Sequence, residues 1–145
     1  MSLPDSNTVV RAYLASGVAP TAALVALVGT RIYCPRLPEN CTWPVGEGAV
    51  SFFTRGGTST PYIPDLPEPS KQFDCWASSP IVARQVYRAL YDALQGIQDT
   101  KITIGVPAVD YFILSAIEEV QGQDLVDVEF QNYFRVLTFF KFIIR

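Results

Sequence analysis

Few side chains in this sequence are placed to do chemistry. Glu118 and Glu119 form its one adjacent acidic pair, the residue type that general acid–base catalysis uses. Neighbours on a strand point to opposite faces, so the two are poorly placed to share a substrate. Asp124, Asp127 and Glu129 cluster at an expected turn after Gly122. They could offer oxygens to a hard cation, but the spacing of a calcium loop is missing. Cys34, Cys41 and Cys75 are odd in number and close no disulfide set. Cys34-x6-Cys41 is too wide for a zinc knuckle, and with no histidine in the chain nothing completes a tetrahedral site. Gly46-Glu47-Gly48 and Arg55-Gly56-Gly57 lack the lysine and following helix of a phosphate loop. Serines are present without a GxSxG turn, and the missing histidine removes their usual base. Asn40-Cys41-Thr42 matches a glycosylation sequon, which carries no meaning in a cytoplasmic setting. Arg84 and Arg88 could clamp a phosphate, yet at i and i+4 they read as the solvated side of a helix. The expectation is a protein that is not an enzyme, with no cofactor and no metal.

The composition points elsewhere. A chain of 145 residues is one domain in length, from residue 1 to residue 145. Apolar residues make up 49% and charged ones 17%, below the ~25% charged residues of ordinary soluble domains. So little charge favours a surface partly covered by a partner or by further copies. The net charge of −3 argues against a dedicated nucleic-acid binder, which displaces counterions with a basic patch. Val18 to Val28 is broken by Pro20 and Thr21, short of the ~18 residues of a membrane span. The start MSLPDSN is acidic where a signal peptide is basic. No membrane segment and no signal peptide is expected, and unpaired cysteines suit a cytoplasmic site of assembly.

The elements that must hold these residues follow from periodicity. Asp5 to Ala15 opens on capping residues and continues with Val9, Val10, Tyr13 and Leu14 at helical spacing. A second short helix runs from Thr21 to a stop at Gly29. Strands are expected at Arg31 to Pro35 and at Ala49 to Arg55. Lys71 to Gly96 is the most informative stretch. Alternation of Phe73, Cys75 and Ala77 against Asp74, Trp76 and Ser78 runs into Ser79-Pro80, a helix start. The helix then carries Val82, Val86, Ala89, Leu90, Ala93, Leu94 and Ile97 on one face. Between Arg55 and Gln72 the glycines and prolines predict no regular strand or helix, but an extended arm over residues 55–72.

Three strands follow, at Lys101 to Val106, Val109 to Gln121 and Val126 to Ile144. The last, at ~3.3 Å per residue, would span roughly 60 Å, so it must bend, bulge or project. Val128, Phe130, Phe134, Val136, Phe140, Phe142 and Ile144 share one face of it. Leu137, Phe139 and Ile143 share the other with Arg135 and Lys141. A sheet apolar on both sides must be covered on both sides. Helices cover one, and a second sheet or another subunit must cover the other. The class is α+β, a mostly antiparallel sheet with helices packed on one face.

The early helix with ALVALVGTRIY, the module FDCWASSPIVARQVYRAL and the closing strand RVLTFFKFIIR occur in a fixed order. In these the chain resembles the tail-completion and tail-terminator proteins of long-tailed phages. The resemblance spans nearly the whole sequence except the proline-rich arm, and its segments are a texture rather than an invariant motif. It implies a small α+β protein, tail-terminator-like in fold, that forms a homo-oligomeric ring, commonly a hexamer, at the head-proximal end of the tail tube in the virion. Such a ring stops tube polymerisation and joins the tail to the head connector, with DNA passing through the lumen without specific binding. The implied partners are further copies of itself, the tail-tube protein and a head–tail connector or head-closure protein. The alternative within the same class is a head-closure or connector-adaptor neck protein. The expected contact residues are Arg55, Tyr62, Ile63, Asp65 and Leu66 in the arm, Asp124 in the turn from Gln121 to Asp127, and Arg135, Leu137, Phe139 and Lys141 on the last strand.

Overall fold

The computed structural model describes residues 5–34, 48–60, 63–126 and 134–145, with the side chains of residues 58–60, 63–66 and 126 outside that description. The order is α1 (Ser6–Leu14), a 3-10 turn (Ala19–Thr21), α2 (Ala22–Val28), β1 (Ile32–Tyr33), β2 (Gly48–Thr60), β3 (Ile63–Ala77), α3 (Pro80–Leu94), β4 (Gln98–Ile104), β5 (Val109–Val126) and β6 (Phe134–Ile144). The six strands form one sheet of order β1-β2-β3-β6-β5-β4. Among the described residues only the short β1 lies parallel to its neighbour, and the other pairs are antiparallel. The α+β class and the element order are those the sequence predicts.

Local residues set the helix ends. Asp5 caps α1, accepting from the Asn7 amide at 3.2 Å and from the Thr8 hydroxyl at 2.6 Å. Thr8 is the main reason the Asp5 carboxyl is held below its ordinary pKa. Ser79 caps α3 by position, with Pro80 in its first turn and no side-chain hydrogen bond to the helix. This helix stops at Leu94, three residues before the predicted end, because Gly96 adopts a positive φ of 80°. Ile97 still packs against the core from beyond the helix. Among the described residues no single helix is long and apolar enough to cross a membrane.

The core lies between the helices and one face of the sheet. Val9, Val10, Tyr13 and Leu14 of α1, Leu24 and Val28 of α2 and Val86, Leu90 and Leu94 of α3 are all buried there. They meet Val50, Phe52, Phe73, Cys75, Val136, Phe140, Phe142 and Ile144 from the strands. Phe73 is the hub: its ring stacks on Phe52 at 5.3 Å and meets Phe140 edge-on at 5.7 Å. Helix α1 packs against β4 at one side of the sheet while Asn7 bonds Thr54 of β2 toward the other. The sheet therefore curls around the helices, and the Tyr13 hydroxyl locks α1 to α3 by donating to the Ala93 carbonyl at 2.6 Å.

Three expectations are corrected. The proline-rich arm is not structureless: β2 runs to Thr60 and β3 starts at Ile63, with pairs Gly57↔Pro69, Thr58↔Glu68 and Ser59↔Pro67. Pairing of β3 with β6 stops at Ser70, next to Pro69, so residues 63–69 leave the sheet as a two-stranded ribbon with β2. A bulge between Thr54 and Gly57 marks its root. Gly57 is required there, since at φ 134° a Cβ would stand 2.3 Å from the Glu68 carbonyl oxygen. Second, the long closing strand is two arms of a hairpin. β5 reaches Val126 and β6 returns from Phe134, with Val126 paired to Phe134; Val128 and Phe130 lie outside the described residues. Third, residues 121–126 are not a turn but the far end of β5, whose register with β6 shifts three times between Ile113 and Gln123.

Candidate functional site

Alternation divides β6 into two faces with opposite fates. Val136, Thr138, Phe140, Phe142 and Ile144 point into the helix-covered core and are buried. Arg135, Leu137, Phe139, Lys141 and Ile143 point to the other face and are each only half-buried. The register sets Leu137 beside Asp74, Phe139 beside Gln72 and Lys141 beside Ser70. On the far side Phe139 meets Val120 and Lys141 meets Ile117. Ile117 and Val120 are 55% and 38% exposed, so an apolar strip crosses this face without cover from the described residues.

Charge is woven through that strip. The Arg55 guanidinium lies over the Phe139 ring at 4.9 Å, and its Nη1 donates to Gln72 Oε1 at 3.4 Å. Arg135 sits 5.4 Å above the Trp76 ring and 3.7 Å from Asp74. Trp76 donates to Ser51 Oγ at 2.9 Å. Lys141 pairs with Glu68 at 3.2 Å, tying the base of the ribbon to β6. Ser70 donates to Glu119 at 2.6 Å. The face is thus apolar in its strip and polar around it.

The expected contact residues divide accordingly. Arg55, Arg135, Leu137, Phe139 and Lys141 come together on this one face. Ile63, Asp65 and Leu66 fall on the β3 arm of the ribbon by their backbone, and Tyr62 lies outside the described residues. Asp124 does not join them. It pairs with Val136 on the helix side of the sheet and forms an ion pair with Arg84 of α3 at 2.9 Å. Asp127 and Glu129, its proposed companions around a cation, lie outside the described residues. Among the described residues no three metal-ligating side chains cluster.

A cleft of about 800 Å³ runs between α3 and β5, lined by Ile81, Arg84, Arg88, Tyr91 and Gln121. Its deeper polar groups already have partners. The Tyr87 hydroxyl donates to Glu118 Oε2 at 2.7 Å and accepts from the Gly122 amide at 3.2 Å. Thr138 donates to the same Glu118 oxygen at 3.0 Å, and Gln95 Oε1 accepts from the Glu118 amide at 2.8 Å. Burial and then the Glu118 bond push the Tyr87 phenol up to about 12. Where β4 no longer flanks β5, Tyr87 of α3 and Gln95 just beyond it satisfy backbone groups that would otherwise be an open strand edge. The arrangement is a hydrogen-bonded network that ties α3 to β5. Glu118 and Glu119 are separated, one bonded to Tyr87 and the other to Ser70.

Sequence reasoning missed two features: this network and the burial of Lys71. The parity of Lys71 with Phe73 and Cys75 was the available signal, since residues two and four apart share a face.

A chain from the virion of a native gene transfer agent (GTA) particle has a similar fold. The TM-score is 0.57 at 16% identity, over 97% of this chain and 97% of that one. At such identity the likeness is one of fold. No protein-family model matches the sequence, and no curated protein matches it.

Proposed function

We propose that this protein is a structural component of a phage-like virion, a tail terminator that forms a ring at the head-proximal end of the tail tube. The observation that carries the reading is the fold shared, almost end to end, with a chain of a gene transfer agent virion. The half-covered face of β6 supports the ring. Fully burying a Leu, Ile or Phe side chain is worth about 1.5–3 kcal/mol, and Leu137, Phe139 and Ile143 gain only part of that in the lone chain. Neighbouring copies supply the rest, and charged residues around the strip fix their register. In this role the ring ends tube growth and offers its other side to the head connector. DNA passes through the lumen, and the acidic balance of the chain keeps the lumen from holding it.

Tails assembled with and without the protein and viewed by negative stain test the role. Overlong tubes in its absence are the expected result. Tubes of normal length that fail to join heads overturn termination and favour the head-closure alternative, as does co-purification with the portal complex rather than with the tube.

A further inference from the structure

Lys71 stands on the core side of β3, and none of it reaches solvent, with a relative exposure of 0%. Its ammonium donates to Ser6 Oγ at 3.0 Å, Asn7 Oδ1 at 2.6 Å and Thr54 Oγ1 at 2.7 Å. Thr54 in turn donates to Asn7 Oδ1 at 2.8 Å. All three partners are neutral, and an uncharged amine keeps two of these donations while its lone pair takes a hydrogen bond from the Ser6 hydroxyl. Ser6 and Asn7 belong to the first turn of α1, and Thr54 is the β2 partner of Lys71, the last pair before the bulge at the ribbon root. The Phe52 ring, its centroid 6.0 Å from Nζ, gives the charged form a weak cation–π contact, and with Phe140, the partner on β6, it keeps the site apolar below.

The surrounding charges do not compensate the cation. Before α1, the Asp5 carboxylate acts on it from a distance, and Arg11 lies further along the helix and acts on Cys34. From the chain after β1 comes the Cys34 thiol, itself kept neutral by burial. Arg55 and Gln72, the next residues on β2 and β3, take the opposite face, as does Lys141 on β6. Among the described residues no carboxylate lies within ion-pair distance of Nζ. The positive end of the α1 dipole also faces this amine. A buried ammonium without a counter-ion is costly, and burial pushes Lys71 down to about 8.

We propose that the first turn of α1 is a pH-sensitive clasp, closed firmly over an uncharged Lys71 and loosely over a charged one, whose opening frees the root of the β2–β3 ribbon. An open clasp exposes Lys71 to water, where its amine returns to its ordinary value of 10.5. The open state therefore binds the proton more tightly than the closed one. Below about pH 8 both states are protonated and the closed state carries its full penalty. As pH rises from there toward 10.5 the penalty is relieved and the clasp tightens. Between pH 6.5 and pH 9 the opening equilibrium should fall about tenfold.

The clasp acts within one chain, so its test needs no ring. Hydrogen exchange of the full chain, corrected for intrinsic rates, is followed at pH 6.5, 7.5 and 9 in α1, at Gly57 and in α3 as an internal reference. The expected result is a tenfold fall in opening in α1 and at the ribbon root, with α3 unchanged. Lys71→Met should abolish the dependence, and Asn7→Leu should raise opening more at pH 6.5 than at pH 9. Flat exchange in the parent chain, or a Lys71→Met variant that keeps the dependence, overturns the clasp. Should Lys71→Met fail to fold, NMR titration of the Lys71 side chain decides: a midpoint near 8 supports it and one near 10.5 overturns it.

Discussion

Gly122 lies against the flat of the Tyr87 ring, so close that a methyl group in its place would stand 2.5 Å from Cε2 and 2.7 Å from Cζ. The glycine lets β5 approach α3 closely enough for its amide to reach the Tyr87 hydroxyl. Gly122→Ala must push the ring or the strand aside. A loss of about 1–3 kcal/mol in unfolding free energy is expected, measured by urea denaturation. A change within a few tenths would mean that α3 yields freely at this point.

Tyr87 makes the protein sensitive to strong alkali. Its folded pKa is raised above the ordinary value of 10.0 to about 12, so its contribution is complete below pH 10 and is lost as pH climbs toward 12. Spectrophotometric titration should show a late tyrosinate that disappears in Tyr87→Phe. The same substitution at neutral pH leaves the Gly122 amide without its acceptor and should cost about 1–2 kcal/mol.

On the half-covered face of β6, Phe139→Glu and Leu137→Asp place a charge in the proposed seam between copies. The lone chain should keep its secondary structure by circular dichroism and most of its stability, because neither side chain belongs to the buried core. Rings should fail to form, as read by mass in solution or on purified tubes. A variant that assembles normally would remove this face from the interface.

The ribbon gives a separate test of contact. Deleting Thr58 to Glu68 removes its tip and the Glu68–Lys141 pair, while the ladder from Ser70 onward stays intact. The surface ion pair is worth ~1 kcal/mol or less, so folding should survive. Capping of tubes should be lost, and a deletion variant that still caps them would show that the ribbon makes no essential contact.

Much of the fold was legible because its signals are local. Asp5 and Ser79-Pro80 mark helix starts, alternation marks the core side of β3 and β6, and the element order follows. What could not be read depended on neighbours distant in sequence. Pro64, Pro67 and Pro69 looked like breakers, yet β3 there needs a ladder only on the β2 side. Residues 127–133 hold neither glycine nor proline, so nothing in the sequence divided the last hairpin. Gly122 looked like a turn and is instead the seat of a tyrosine ring. Of the expected contacts, those on one strand face were found together. Asp124, expected in a separate turn, lies on the other side of the sheet, and nothing local reveals its bond to Arg84, 40 residues away.

Copies of this chain are proposed to seal each other's exposed sheet face in a ring on the tail tube. A cryo-electron microscopy map of the assembled particle, resolved to side chains, tests it most directly. The account requires Leu137, Phe139 and Ile143 to be buried against a neighbouring copy at the head-proximal end of the tube. A single copy standing apart, or a ring in which that strip faces open solvent, would contradict it.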